Sequence, residues 1–291
     1  MDITYLNIIS FVIITICYYL VLKTPLTVAI LENQEAYAGY KKQNFIRLIA
    51  YFIFVVLFQF GINTSSLATR CGGSLNKTIG TAAFWTFIPW LLIFGVVIII
   101  LTVFPGFKAA FSNIVGYYYI SGRANEILSE ILVDAKTENA IDNSFGDNFS
   151  TEINGATKGQ HQEIQEVLLS LAGNMSILIN KIVPSNFIQF WHLLTPLMRE
   201  QYRNPLNSVS MNDKQDELLK LVVSKDDIGE GFWFGYTAIV LITMVQYYLT
   251  TVDCNKSVDI MQQEYQKFLD DEKTKLEKKQ KQVPINYTAS Q

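Results

Sequence analysis

Histidine is nearly absent from the chain: there are two in 291 residues, His161 and His192. Neither has a Cys or His partner at metal-ligand spacing, so no zinc site is expected. The three cysteines, Cys17, Cys71 and Cys254, are too few for the disulfide framework of a small secreted domain. A glycine-rich phosphate loop is missing, because Cys71-Gly72-Gly73-Ser74 matches neither a P-loop nor a dinucleotide fingerprint. No segment is strongly basic. Residues 1–104 carry six Lys/Arg against three Asp/Glu, residues 105–231 ten against sixteen, and residues 253–291 seven of each. That balance excludes a nucleic-acid surface as the main purpose. With no catalytic residue, cofactor or metal to assign, the chain reads as a non-enzyme.

Charge is missing altogether from four long apolar runs. Crossing a ~30 Å hydrocarbon core takes roughly 20 apolar residues in a helix. The candidates are Tyr5–Leu22, Leu48–Ile62, Ala82–Phe104 and Phe232–Val252. The second is short, with Arg47 able to snorkel at its start, and Pro89 should kink the third. Core helices of soluble proteins are rarely apolar all round over such lengths. The first run lacks a basic lead-in and a small-x-small cleavage site, so it reads as a retained anchor rather than a cleaved signal peptide. The fold class is therefore all-α membrane protein: about four transmembrane helices, with a helical soluble domain inserted between spans three and four. The expected divisions are 1–104 for spans one to three, 105–231 for the soluble domain, 232–252 for span four and 253–291 for a charged amphipathic tail.

Four spans place the N-terminus, the 63–81 loop and the tail on one side of the bilayer, and the 23–47 and 105–231 regions on the other. Lys23, Lys41, Lys42, Arg47 and Lys108 flank the membrane on the second side, against Arg70, Lys77 and Lys256 on the first. The positive-inside rule puts the 105–231 domain on the cytosolic side. Cys71 and Cys254 then share the non-cytosolic side, where oxidation is permitted. A disulfide between them would tie the 63–81 loop to the end of span four; the alternative is two unrelated thiols. Cys17 reads as a small apolar filler. A Cys–His nucleophilic pair is blocked, since both histidines lie across the bilayer from Cys71 and Cys254. The sequons at Asn63 and Asn76 lie close to the bilayer, and glycosylation is not expected there.

In the soluble region Ile120, Ala124, Ile127, Leu128, Ile131 and Leu132 recur at helical spacing, as do Ile164, Val167, Leu168, Leu171, Met175, Leu178 and Ile182. Shorter helices are expected around Asn186–Tyr202 and Asp213–Val223, with Asp213 as N-cap of the latter. Residues 137–159 read as an exposed polar loop. The Asp226-Asp227 pair reads as part of a solvated acidic face. In the tail, Val258, Met261, Tyr265, Phe268 and Leu276 mark an amphipathic helix suited to pairing with a partner helix or to solvation. The spans hold almost no ionisable residue, unlike those of transporters. Their polar residues Thr15, Gln59, Thr86 and Gln246 suit helix–helix hydrogen bonding.

One block is more distinctive. Arg70-Cys71-Gly72-Gly73-Ser74 is followed by Thr86-Phe87-Ile88-Pro89-Trp90, and then by a run from Phe104-Pro105-Gly106-Phe107 through Phe111-Ser112-Asn113 to Gly116-Tyr117. It resembles the membrane-spanning minor capsid proteins of the large icosahedral double-stranded DNA viruses of eukaryotes, the chlorella-virus and mimivirus kind. It differs at Phe107, where that pattern carries Trp, and at Ile114-Val115, where it carries Thr-Phe. The resemblance implies a structural protein of the virion's internal membrane, derived from an ER-type host membrane, that anchors the capsid shell. The implied partners are the lipid bilayer and other capsid proteins, minor or major, and a homo-oligomer is compatible with the layout. The segment containing Pro105, Gly106, Phe107, Phe111 and Tyr117 would lie at the membrane interface as a rigid collar. The alternative is an oligomeric, viroporin-like channel. An enzyme would have to use His161 and His192 with nearby carboxylates.

Overall fold

Inside hydrocarbon every backbone polar group needs an internal partner, and a single segment achieves that only as a helix. The computed structural model describes residues 3–71, 75–132, 174–203, 208–252, 254 and 258–281. Helix α1 (Ile3–Cys17) is prolonged by a π turn, Tyr18–Leu22. A short α2 (Val28–Glu32) precedes α3 (Gln34–Cys71), then come α4 (Leu75–Pro89), a π turn (Trp90–Phe94) and α5 (Gly95–Val103). The chain leaves α5 through a 3-10 turn (Pro105–Lys108), α6 (Ala109–Phe111) and a π turn (Ser112–Gly116). The remaining helices are α7 (Tyr117–Ile131), α8 (Met175–Lys181), α9 (Phe187–Leu194), α10 (Glu200–Arg203), α11 (Ser208–Thr251) and α12 (Val258–Lys281). Among the described residues the only β contact is an isolated bridge between Leu132 and Met198.

The fold is all-α, with four helical stretches long and apolar enough to span a membrane: Ile3–Leu22, Gln34–Cys71, Thr78–Val103 and Asn212–Thr251. Two differ in extent from the sequence expectation. Helix α3 is 38 residues long and passes through Asn63 to Cys71, so most of the expected 63–81 loop is helix. Its start is fixed by Asn33, whose side-chain oxygen accepts from the Glu35 and Ala36 N–H groups at 3.0 Å. Helix α11 runs unbroken for 44 residues. Asp213 lies inside it rather than at an N-cap, and the expected boundary at residues 231/232 falls mid-helix. Neither stretch contains a proline to stop it. At Pro89, which has no N–H to offer, the helix passes into the wider π turn.

Two hydrophobic cores share α11. In the spans, Phe11, Tyr51, Val55, Trp90 and Phe94 pack with Phe234, Leu241 and Val245. Outside them, Ile120, Ala124, Ile127, Leu128 and Ile131 of α7 pack with Leu178, Trp191, Leu218 and Val222. This matches the expected α7 stripe. Leu178 and Ile182 of the second stripe are buried in the same core, while residues 164–171 and the expected 137–159 loop lie outside the described residues. Val28 and Leu31 of α2 also pack on this core, so the first connecting segment is part of the domain. Cys17, read as a filler, instead faces outward.

The intramembrane polar residues bond to one another as expected. Thr15 and Tyr51 share a hydrogen bond of 2.8 Å, and the Gln59 amide donates to the Asn7 carbonyl at 2.9 Å. Asn63, 1% exposed, joins all four spans. Its Oδ1 accepts from Asn7 Nδ2 (3.1 Å) and Gln246 Nε2 (2.6 Å), and its Nδ2 donates to Thr86 Oγ1 (3.0 Å). A burial this complete also removes Asn63 as a glycosylation acceptor.

At one end of the bundle Cys71 and Cys254 form a disulfide, with Cα atoms 5.0 Å apart. Beside it the Arg70 guanidinium donates to the Leu249 carbonyl at 2.5 Å and to the Val252 carbonyl at 3.0 Å, capping the C-terminus of α11. At the other end α11 meets the Ser112–Gly116 turn at backbone contact. A Cβ on Gly229 would lie 2.6 Å from Ser112 Cβ, and one on Gly116 only 2.5 Å from the Lys225 carbonyl oxygen.

Asn63→Leu should leave the Asn7, Thr86 and Gln246 groups without this partner and lower stability by about 1–3 kcal/mol, read from thermal unfolding in detergent. Gly229→Val should cost a similar amount, about 1–3 kcal/mol, through overpacking. Peptide mapping without reductant should recover Cys71 linked to Cys254 and only Cys17 alkylated.

Candidate functional site: a charged cavity at the membrane boundary

Lys23 ends span one, Lys108 follows span three, and Asp226, Asp227 and Glu230 occupy one turn of α11 just before its most apolar stretch. Three separate segments thus bring five charges to one level. Lys23 Nζ lies 2.6 Å from Asp227 Oδ1 and 3.3 Å from Glu230 Oε1. Lys108 Nζ lies 3.0 Å from Asp226 Oδ2 and 2.6 Å from Glu230 Oε2. Tyr19 donates its hydroxyl proton to Glu230 Oε1 at 3.1 Å, so the buried Glu230 has both oxygens engaged. For Lys23, burial favours the neutral amine, but Glu230 and then Asp227 outweigh it and hold the ammonium well above the ordinary lysine range. Lys108 behaves in the same way, through Glu230 and Asp226. Both lysines stay charged.

Asp226 and Asp227 are therefore not the solvated acidic face read from the sequence. The partners that neutralise them lie 118 and 204 residues away, beyond what local charge patterning can reveal. Next to them Lys225 is fully buried and points the other way, donating to the carbonyls of Ile179 (2.7 Å) and Ile182 (3.1 Å) at the end of α8. It adds a buried cation to a helix C-terminus whose last turn already carries Lys181.

The cluster forms one wall of a cavity of about 340 Å3. Opposite walls come from Tyr37, Tyr40, Lys41 and Asn44 on α3, and from Pro105 and Gly106. Lys41 sits 4.7 Å over the Tyr37 ring, which stacks beside Tyr40 at 6.3 Å. Leu48 and Leu101, from the ends of spans two and three, line the same space.

The expected interface segment is split among several roles. Pro105 and Gly106 border the cavity. The Phe107 carbonyl accepts from the Trp233 indole N–H at 2.9 Å, while its ring is exposed. Phe111 packs edge-to-face on Trp233 at 5.2 Å, and Tyr117 lies against the domain core. The following turn points Tyr118 and Tyr119 outward, 85% and 75% exposed. Cys71 and Cys254 stand at the opposite end of the bundle from this cavity. His192 is exposed on α9, and His161 is outside the described residues. Among the described residues no three His, Cys, Asp or Glu side chains gather as a metal site.

No family model, curated protein or solved structure matches the chain.

Glu230 is the carboxylate that Lys23 and Lys108 share. Glu230→Leu leaves Lys23 on Asp227 alone and Lys108 on Asp226 alone, and the loss of these charge-assisted bonds should cost about 1–3 kcal/mol in chemical denaturation. Exposed Arg123→Ala, which loses the Glu217 and Glu126 pairs on the domain surface, should by contrast leave the denaturation midpoint almost unchanged.

Proposed function

We propose that this chain is a structural membrane anchor, of the minor capsid type, holding a capsid shell to the internal membrane of an icosahedral DNA virus. One observation carries the reading: α11 is at once the fourth span and a central helix of the external domain. A domain built this way cannot tilt freely on its anchor, which suits a scaffold. The exposed Ile114, Tyr118 and Tyr119, just beyond the bilayer, suit contact with headgroups or a neighbouring capsid protein. The domain side would be cytosolic, where the shell assembles on an ER-type membrane, and the disulfide side would be lumenal.

The channel reading needs a polar stripe facing other copies. Gln59 and Gln246 are buried and bonded within one chain, which counts against it.

In purified virions the protein should be abundant, should resist high-salt washing, and should crosslink through the 105–231 domain to other capsid proteins. Recovery only from infected-cell membranes, with none in particles, would overturn the assignment.

A further inference from the structure

The cavity at the membrane boundary is unevenly charged in a way that suits one kind of ligand. Its floor holds two lysines and three carboxylates, a local excess of one negative charge. Glu230 is saturated, but Asp226 uses only Oδ2 and Asp227 only Oδ1 in ion pairs. Among the described residues Asp226 Oδ1 and Asp227 Oδ2 make no hydrogen bond or ion pair, and Asn44 Oδ1, a buried atom of another residue lining the cavity, has no partner either. All three residues line the cavity, so a donor that enters it meets acceptors not used within the chain. At the rim, Lys41 forms no ion pair among the described residues and rests on Tyr37. The interior therefore favours a cation carrying N–H groups, and the rim favours an anion.

We propose that this cavity binds the headgroup of a membrane phospholipid bearing a primary amine, of the phosphatidylethanolamine class. Its ammonium would donate to Asp226, Asp227 and Asn44, and its phosphate would pair with Lys41. A primary ammonium has three N–H donors for these acceptors, whereas a quaternary ammonium has none. Recognition of the quaternary group would rest on open aromatic faces, and the Tyr37 face is already covered by Lys41. An anionic headgroup without an amine could pair with Lys41 but would bring no ammonium to the Asp226 and Asp227 carboxylates. The volume, about 340 Å3, lies within the roughly 300–1,000 Å3 of small-molecule sites. The apolar wall at Leu48 and Leu101, with exposed Phe45 nearby on α3, belongs to the ends of the spans. Acyl chains attached to a headgroup in this position can lie in the bilayer alongside them. The inference depends on the spans lying in a membrane and not on the capsid reading.

Full-length protein, stripped of lipid in detergent, would be offered an equimolar mixture of phosphatidylethanolamine, phosphatidylcholine and phosphatidylglycerol, and bound lipid read by native mass spectrometry. Selective retention of one phosphatidylethanolamine per chain is expected. Lys41→Ala should reduce that retention about tenfold, the scale of one charged contact, and Asp226→Asn should reduce it as well. Lys42→Ala, next to Lys41 but not lining the cavity, should leave it unchanged. An intact Cys71–Cys254 link and unchanged helical circular dichroism would establish that each variant is folded. Equal retention of the three lipids, or equal effects of Lys41→Ala and Lys42→Ala, would overturn the proposal. So would free phosphoethanolamine binding as tightly as the lipid, which would make the ligand a soluble molecule.

Discussion

Asn63 puts one side-chain amide where four spans meet, and the arrangement of the bundle depends on that group. Hydrocarbon supplies neither donors nor acceptors, so an amide there is tolerated only if the surrounding helices satisfy it. Asn7, Thr86 and Gln246 do so from three different helices. Sliding any one helix by a turn would move its partner about 5.4 Å away. Dispersion packing among Phe11, Trp90, Phe94 and Phe234 tolerates small shifts; this hydrogen-bonded junction does not. It thereby sets the register in which the two ends of the bundle assemble.

Charge at those ends is used largely inside the molecule. Arg70 donates to the last carbonyls of α11, and Arg47 donates to the Leu22 carbonyl at the end of the first span. Arg199 does the same for α7 through the Leu132 and Ser129 carbonyls, and Lys225 for α8. Four helices thus end on a cation supplied by another part of the chain, which meets the negative end of each helix dipole and its unpaired carbonyls together. Lys23 and Lys108 are neutralised in the same economical way by Glu230. A count of basic residues near each membrane face therefore overstates the charge presented to lipid.

The spans were legible in the sequence because a run of about twenty uncharged apolar residues is rarely stable as a helix anywhere but in hydrocarbon. The cysteine pair was legible because span parity alone brings Cys71 and Cys254 to one side. The bonding roles of Thr15, Gln59, Thr86 and Gln246 followed from their position in apolar runs. Asn63 was hidden because its Asn-Thr-Ser setting resembled a loop sequon, and the run around it looked too short to reach it. The Asp226, Asp227 and Glu230 site was hidden because its meaning lies in Lys23 and Lys108, which are distant in sequence. Continuity of α11 was hidden by the abrupt change from charged to apolar composition near residue 231, a change of surroundings rather than of backbone. The small residues Ser112, Gly116 and Gly229 acquire a reason only once α11 is seen to press against them.

The unbroken length of α11 has a mechanical consequence. At about 1.5 Å per residue its 44 residues extend about 66 Å, of which about 30 Å fits within a bilayer core. The remainder is a stiff post standing off the membrane. Load applied to the outer domain travels down this post to the far face, where Cys254 ties the chain emerging from it covalently to Cys71 at the end of α3. Pulling the domain outward would therefore draw on two spans at once, and the helix pair would resist extraction as a single riveted beam.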